Sequence, residues 1–285
     1  MQIEVKNLSY TYSKKTPYEK QALRDISFTV NEGEFLGIVG ATGSGKSTLI
    51  QHFNGLIKLQ SGQLNVLDID LAAKKVDYKA LRRGIGMLFQ YPEYQLFADT
   101  VLADVMFGPL NFGMSKEEAH SSAKEALILA GLDFDAVKDR SPLEISGGQK
   151  RRAAIAGVLS YNPKILILDE PTAGLDPSGK REMLNLISSL RKTSGKTVIM
   201  VSHNMDEIAR YCERVIVLGE SELLYDTTPA ELFYNYDIAT LGLDVPHVVK
   251  IVKKLRDKGI DLGTDIVTEE KLLERLTAFF GKERI

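Results

Sequence analysis

Gly40-Ala41-Thr42-Gly43-Ser44-Gly45-Lys46-Ser47 follows the apolar run Phe35-Leu36-Gly37-Ile38-Val39. A strand running into G-x-x-x-x-G-K-[ST] is the pattern of a phosphate-binding P-loop. Glycine lets the backbone wrap around phosphate oxygens because no Cβ stands in the way. The inward N–H groups then form an anion nest. A helix expected to begin near Lys46 adds its positive dipole end and unpaired N–H donors. Lys46 is placed to reach the β- and γ-phosphates, and Ser47 to offer its hydroxyl to magnesium. Leu49, Ile50 and Phe53 behind the loop fit such a helix and argue against a chance glycine-rich turn. The stretch implies a nucleoside triphosphate and Mg2+ as ligands.

The rest of the chain sets bounds on this reading. Its 285 residues suffice for one large domain with an appendage, and 44% apolar content supplies a substantial core. Net charge is −2, which gives no reason to expect non-specific nucleic-acid binding. Met1-Gln2-Ile3-Glu4-Val5 lacks the basic and apolar regions of a signal peptide. No apolar run approaches about 18 residues, so the chain is not expected to span a bilayer by itself. Cys212 is the only cysteine, which rules out a disulfide within one chain, suits a reducing compartment and reads as a small buried or half-buried residue.

Apolar alternation and runs predict strands at Gln2–Leu8, Ile26–Val30 and Phe35–Val39, the last two joined by the turn Asn31-Glu32-Gly33. Asp77–Arg83 reads as helix and Ile85–Gln90 as a buried strand. From Tyr91 to about Ser160 the spacing is helical; one helix over Ala119–Ala130 stops at Gly131. Strands return at Ile165–Leu168 and Thr197–Val201, with an amphipathic helix Gly179–Ser194 between them, and Val215–Leu218 with Glu222–Tyr225 reads as a hairpin. The result is an α/β core, residues 1–230, interrupted by a helical insert at about 91–160. Residues 231–285 hold ten acids and nine bases, so they are not a charged tail. Val248, Val249, Ile251, Val252 and Leu255 form one helical stripe ended by Gly259. Leu272, Leu273, Leu276, Phe279 and Phe280 form a second, with Thr268 as its cap, so this segment reads as a small, mostly helical C-terminal domain.

Two further stretches carry chemistry. Ile165-Leu166-Ile167-Leu168-Asp169-Glu170 is an apolar strand ending in two carboxylates. It is expected beside the P-loop strand, with Asp169 holding magnesium and Glu170 orienting or deprotonating the attacking water. Leu143-Glu144-Ile145-Ser146-Gly147-Gly148-Gln149 offers a hydroxyl and glycine N–H groups at a helix start, a second phosphate-sized nest. Lys150, Arg151 and Arg152 then follow in the first turn, where cations oppose the helix dipole. Either a nearby triphosphate offsets that cost or the three side chains face water.

The second stretch resembles the signature motif of ATP-binding-cassette (ABC) ATPases, with Ile145 where leucine is usual. The resemblance implies a P-loop NTPase fold of the ABC type. In this family, the signature motif of one subunit covers ATP held by the P-loop of another, so one P-loop and one signature imply a head-to-tail pair. The nucleotide-binding set it implies is Tyr12, stacking on adenine unless it is a strand-edge core aromatic, with Gly40, Ala41, Thr42, Gly43, Ser44, Gly45, Lys46, Ser47 and Thr48. From the other subunit come Ser146, Gly147, Gly148 and Gln149, and the set also includes Asp176 of the Ala173-Gly174-Leu175-Asp176 loop, which resembles one that runs along the dimer interface. Ser47, Gln90 and Asp169 are implied as the magnesium set, and Glu170, His203 and Gln90 as the catalytic set, with His203 touching the γ-phosphate. His52, His120 and His247 match nothing and read as solvated or packed.

Tyr91-Pro92-Glu93-Tyr94-Gln95-Leu96-Phe97 narrows the resemblance to the ATPases of energy-coupling factor transporters, more like their second type than their first. Gly108–Gly113 and Leu243–Pro246 fit the same subgroup. The resemblance implies an importer of vitamins or metal ions. A second related ATPase, a transmembrane coupling protein and a substrate-capture membrane protein would be the partners, with this chain peripheral on the cytoplasmic face of the cell membrane. The apolar stripes of the C-terminal domain suggest contact with the partner ATPase. Glu93, Asp99 and Asp104 either meet arginines of the coupling protein or are plain solvated acids. Two alternatives stand beside this reading. A soluble ABC protein of DNA repair or translation is disfavoured by the lack of a long coiled-coil insertion and of a second cassette. The ATPase of a conventional binding-protein-dependent importer is disfavoured by Tyr91–Phe97.

Overall fold

Strands of two kinds alternate with helices. Ile3–Tyr12 (β1) and Lys20–Val30 (β2) bury only part of their side chains, as strands with one wet face do. Phe35–Val39 (β3) is buried at all five positions, which requires cover on both faces. Lys46–Phe53 (α1), Ser61–Val66 (β4), Ile69–Asp70 (β5), Tyr78–Gly84 (α2) and Ile85–Leu88 (β6) follow. The insert comprises Val101–Asn111 (α3), Lys116–Leu129 (α4), Phe134–Val137 (α5) and Gly147–Leu159 (α6), with 3-10 turns at Pro92–Gln95 and Pro142–Glu144. Ile165–Asp169 (β7), Pro177–Ser194 (α7), Thr197–Val201 (β8), Met205–Tyr211 (α8), Arg214–Gly219 (β9) and Glu222–Thr227 (β10) complete the core. Pro229–Asn235 (α9), His247–Asp257 (α10) and Glu269–Gly281 (α11) close the chain. The structure, a computed structural model, describes Met1–Gly281; residues 282–285 of the expected C-terminal domain lie outside the described residues.

Two sheets result. One is antiparallel, in the order β2-β1-β4-β5; the other runs β10-β9-β3-β8-β7-β6, parallel from β9 to β6 with β10 antiparallel at its edge. The order corrects one expectation: the strand ending in Asp169-Glu170 does not lie beside the P-loop strand. β8 intervenes, pairing Ile38 with Val201 and Val201 with Asp169. The two chemical strands are therefore next-nearest neighbours at the same level of the sheet, with their C-terminal ends on one edge. That edge is where ligands bind in open parallel sheets. β4 and β5 went unread in the sequence because Leu64 and Val66 are the only alternating pair in a short polar stretch.

Side chains alternate across the six-stranded sheet. Leu36, Ile38, Ile165, Ile167, Ile199 and Val201 face α1 and the antiparallel sheet. Phe35, Val39, Leu166, Leu168, Val198 and Met200 face the insert, α7 and α8. Gly37 permits the close approach of α8, since a Cβ there would stand 3.0 Å from Cys212 Sγ and Ile208 Cδ1. Cys212 is buried, as expected, and burial pushes its thiol up. Leu232, Phe233 and Val249 join the main core, while Val248, Val252, Leu262, Ile266 and Leu272 form a small separate cluster between α10 and α11. Among the described residues no helix is long and apolar enough to cross a membrane.

Candidate active site

The glycine-rich loop leaves β3 where two glycines are obligatory. Gly40 has φ +153°, and a Cβ there would sit 2.2 Å from the Leu218 carbonyl oxygen. Gly45 has φ +106°, and its Cβ would sit 2.3 Å from the Ala22 carbonyl oxygen. Gly45 also precedes α1 with no side-chain cap, so the first N–H groups of that helix stay available to an outside acceptor. Ser44 Oγ is buried and finds no partner among the described residues. A phosphate oxygen supplies the partner that such a group lacks. Lys46 Nζ donates to the carbonyl oxygens of Gly40 at 2.7 Å and Ala41 at 2.9 Å, which curls its ammonium over the loop. Burial lowers the Lys46 pKa, against the opposing charges of Glu170 and Asp169.

Beside the loop, Tyr12 ends β1 and remains 38% exposed, so it is a rim residue and not core. Its hydroxyl shares a hydrogen bond with Thr48 Oγ1 at 3.1 Å. Tyr10 packs edge-on against both Tyr12 and His52. His52 is fully buried, with Nδ1 2.7 Å from the Thr48 carbonyl oxygen. A cavity of about 380 Å³ lies between Tyr12, Tyr18, Lys20, Gly43, Lys46 and Ser47. Its aromatic edge and phosphate cradle match the two ends of a nucleotide.

The acidic strand end meets this cradle. Ser47 Oγ donates to Asp169 Oδ2 at 3.3 Å. Burial, then the charge of Glu170, raises the Asp169 pKa. Glu170 takes φ +49°, a conformation that is strained for a residue with a side chain. Its N–H donates to the Val201 carbonyl at 2.9 Å, and its own carbonyl accepts from Ala173 N–H at 3.1 Å. The Glu170 side chain is thereby aimed between two loops. Gln90 Nε2 donates to Oε2 at 3.3 Å, and His203 Nδ1 lies 3.2 Å from Oε1. All three expected catalytic residues thus converge on one carboxylate.

Other expected residues lie elsewhere. Ser146 caps α6: its Oγ accepts from Gln149 N–H at 3.3 Å, while Gln149 Oε1 accepts from Ser146 N–H at 2.9 Å. No hydrogen bond among the described residues joins 146–149 to 40–48. A Cβ on Gly147 or Gly148 would meet nothing within 4 Å, so this chain's own packing does not require glycine there. Asp176 caps α7 through Gly179 N–H at 3.2 Å.

Three side chains differ from expectation. Arg151 neither faces water nor reaches the P-loop; it is 3% exposed and its guanidinium grips Glu93 in two bonds. Glu93 is therefore held by this chain and is not a free acid for a partner's arginine. Asp104 accepts the N–H groups of Phe97 at 2.7 Å and Ala98 at 2.8 Å, which fixes the loop before α3. Sequence reading also missed Glu207. Its carboxylate is 6% exposed and accepts from Thr172 Oγ1, Ser202 Oγ and Asn204 Nδ2 at 2.9, 3.0 and 3.3 Å. It ties the loop after Glu170 to the loop that carries His203. In the sequence, Asn204-Met205-Asp206-Glu207 reads only as a helix start.

The family model described as ABC transporter matches residues 23–173. The energy-coupling factor transporter ATP-binding protein EcfA2 of Clostridium tetani is 43% identical over 284 residues, 99% of each chain. The protein of the same name from Clostridium acetobutylicum is 47% identical over 271 residues, 95% of each. The chain belongs to the ABC transporter family, in its energy-coupling factor branch. Among solved ABC structures, cbiO1 from Clostridium perfringens, part of the transporter complex cbiONQ, is 38% identical. Its TM-score is 0.73, over 88% of this chain and 98% of that one. A dimeric post-hydrolysis state of the ATP-binding cassette MJ0796 bound to ADP and Pi is 32% identical with a TM-score of 0.71, over 80% and 98%. ABC membership accounts for the α/β P-loop core and for ATP binding by this chain.

Proposed function

We infer that this chain is the ATP-hydrolysing subunit of an energy-coupling factor importer, and that it works as one of a pair. The observation that carries the inference is the Glu170 carboxylate, held by Gln90 and His203 beside the Ser47–Asp169 end of the P-loop. A water above Glu170 loses its proton to that carboxylate as its oxygen bonds the γ-phosphorus. The bond from the γ-phosphorus to the bridging oxygen breaks, and ADP carries that oxygen away. Gln90 and His203 orient Glu170, and His203 Nε2 remains free to meet the phosphate.

Ser47, Asp169 and Gln90 suit magnesium. They are hard oxygen donors, and a cation beside Asp169 relieves the burial and the Glu170 charge that raise its pKa. With so few protein donors, water and substrate phosphates would complete the ion's coordination. When bound, magnesium would neutralise charge on the β- and γ-phosphates.

Pairing is supported by the exposed Ser146–Gln149 turn with its two sterically free glycines. It fits over the ATP of a second, related ATPase. Closure around shared ATP and reopening after hydrolysis is then a population shift driven by differential binding. The exposed Ile251, Leu273 and Phe280 of α10 and α11 fit the partner ATPase. Leu273→Glu should weaken pairing on a sizing column without lowering the melting temperature; unchanged assembly refutes that contact.

The exposed Tyr91, Tyr94, Phe97 and Phe107 fit a transmembrane coupling protein, which would hold the chain at the cytoplasmic face. A substrate-capture membrane protein would bring a vitamin or metal ion. Purification of the chain from membranes, with identification of every associated polypeptide, tests this reading. A second ATPase and an integral membrane scaffold are expected. Recovery with ribosomes or DNA-repair proteins overturns it.

A further inference from the structure

Arg151 is a cation in the second turn of α6, not in the first as its place in the sequence suggests. It is nevertheless almost wholly buried. Nε donates to Glu93 Oε2 at 3.2 Å, Nη2 to Glu93 Oε1 at 3.3 Å, and Nη1 to the Ala173 carbonyl oxygen at 2.7 Å. The fork-to-carboxylate geometry fixes direction as well as distance. Three segments meet on this one side chain. The first is α6, which begins at the Ser146–Gln149 turn. The second is the 3-10 turn with Glu93, next to Gln90. The third is the turn after Glu170, in which Ala173 N–H donates to the Glu170 carbonyl at 3.1 Å. Gln90 closes the loop by holding Glu170 Oε2.

We propose that Arg151 is a positioning residue that transmits movement of the helical insert to Glu170 and Gln90, so that ATP cleavage follows the insert's position. The proposal rests on the ATPase reading above and names the link within it. Pulling Glu93 away from Arg151 leaves a buried charge unpaired, so the three segments move together or at considerable cost. An arginine serves where a lysine does not, because only the planar fork holds Glu93 and the Ala173 carbonyl at once.

A pair that merely stabilised the fold would give a different result from one that transmits. Arg151→Met with Glu93→Gln removes both charges together, so neither is left buried and unpaired. Arg151→Lys keeps the charge and loses the fork. ATP turnover of the assembled transporter in lipid vesicles, the melting temperature, and the Kd for a fluorescent ATP analogue are measured for both. Turnover is expected to fall about tenfold or more in each, as misplaced catalytic groups do. The Kd should stay within about twofold, since among the described residues Arg151 makes its hydrogen bonds to Glu93 and Ala173 and none to the P-loop or Tyr12. Wild-type turnover in either folded variant overturns the proposal, and so does a turnover loss matched by lost ATP binding. If the double variant does not fold, Arg151→Lys decides alone. Glu170→Gln in the same vesicles separates the two readings: if it hydrolyses at the wild-type rate, the ATPase assignment of the site has failed, not the link through Arg151.

Discussion

His203 Nδ1 lies 3.2 Å from Glu170 Oε1, across the C-terminal ends of the adjacent strands β8 and β7. The relationship puts imidazole and carboxylate in one unit. Glu170→Gln should retain ATP, lose turnover by a factor of about 10²–10⁴, and accumulate a closed pair visible on a sizing column. His203→Ala should lose most turnover while binding ATP normally. Wild-type rates in single-turnover assays would remove the corresponding side chain from the chemistry.

Gly148 offers a test of the second subunit's role. A side chain there meets open space within this chain and replaces a poor helix former. Gly148→Leu should therefore leave the melting temperature of the isolated chain unchanged or higher, yet abolish hydrolysis in the pair. Hydrolysis surviving in that variant would place the Ser146–Gln149 turn outside the nucleotide site.

Asp169 carries a sign that can be checked. Burial first, then the charge of Glu170, raise its pKa above the ordinary 3.8, so the folded chain holds this proton more tightly than the unfolded chain. Below 3.8 the group is neutral in both states and costs nothing; the cost grows as pH rises toward the folded pKa and is complete above it. Asp169→Asn should raise the melting temperature at neutral pH in magnesium-free buffer, with a gain that shrinks as pH falls. It should also abolish magnesium-dependent turnover. Calorimetry across pH, showing a gain that is constant or grows toward acid, would contradict the assignment.

Glu207 is buried with hydroxyl and amide donors. Glu207→Ala strands three donors and should cost about 1–3 kcal/mol for each that water does not reach. Turnover should fall because the loops of Glu170 and His203 lose their tie. Glu207→Gln keeps the shape, and the Thr172 and Ser202 hydroxyls can rotate to accept its N–H, so most stability and part of the turnover should return. Equal damage from Gln and Ala in denaturant melts and ATPase assays would show that the charge, not the tie, is what matters.

Local pattern fixed much of this protein. Gly40–Ser47 behind Phe35–Val39 announced the cradle, because a nest needs glycines at set spacing after a strand, and the structure gives Gly40 and Gly45 conformations closed to other residues. The helical insert, the late hairpin and the C-terminal helices were legible in apolar periodicity. What depended on partners distant in the chain was not. Sequence offers no register, so β8 between β3 and β7 could not be read from either strand. For Arg151 the sequence left open a nearby triphosphate or water, and neither holds, because its burial is decided by Glu93 and Ala173, which only folding brings to it. Glu207 drew no notice for the same reason, since Thr172 reaches it only in the fold. Residue identity set which groups can bind phosphate or move a proton; the tertiary structure decided which of them share a carboxylate, because hydrogen bonds act over about 3 Å and the chain alone does not specify distance.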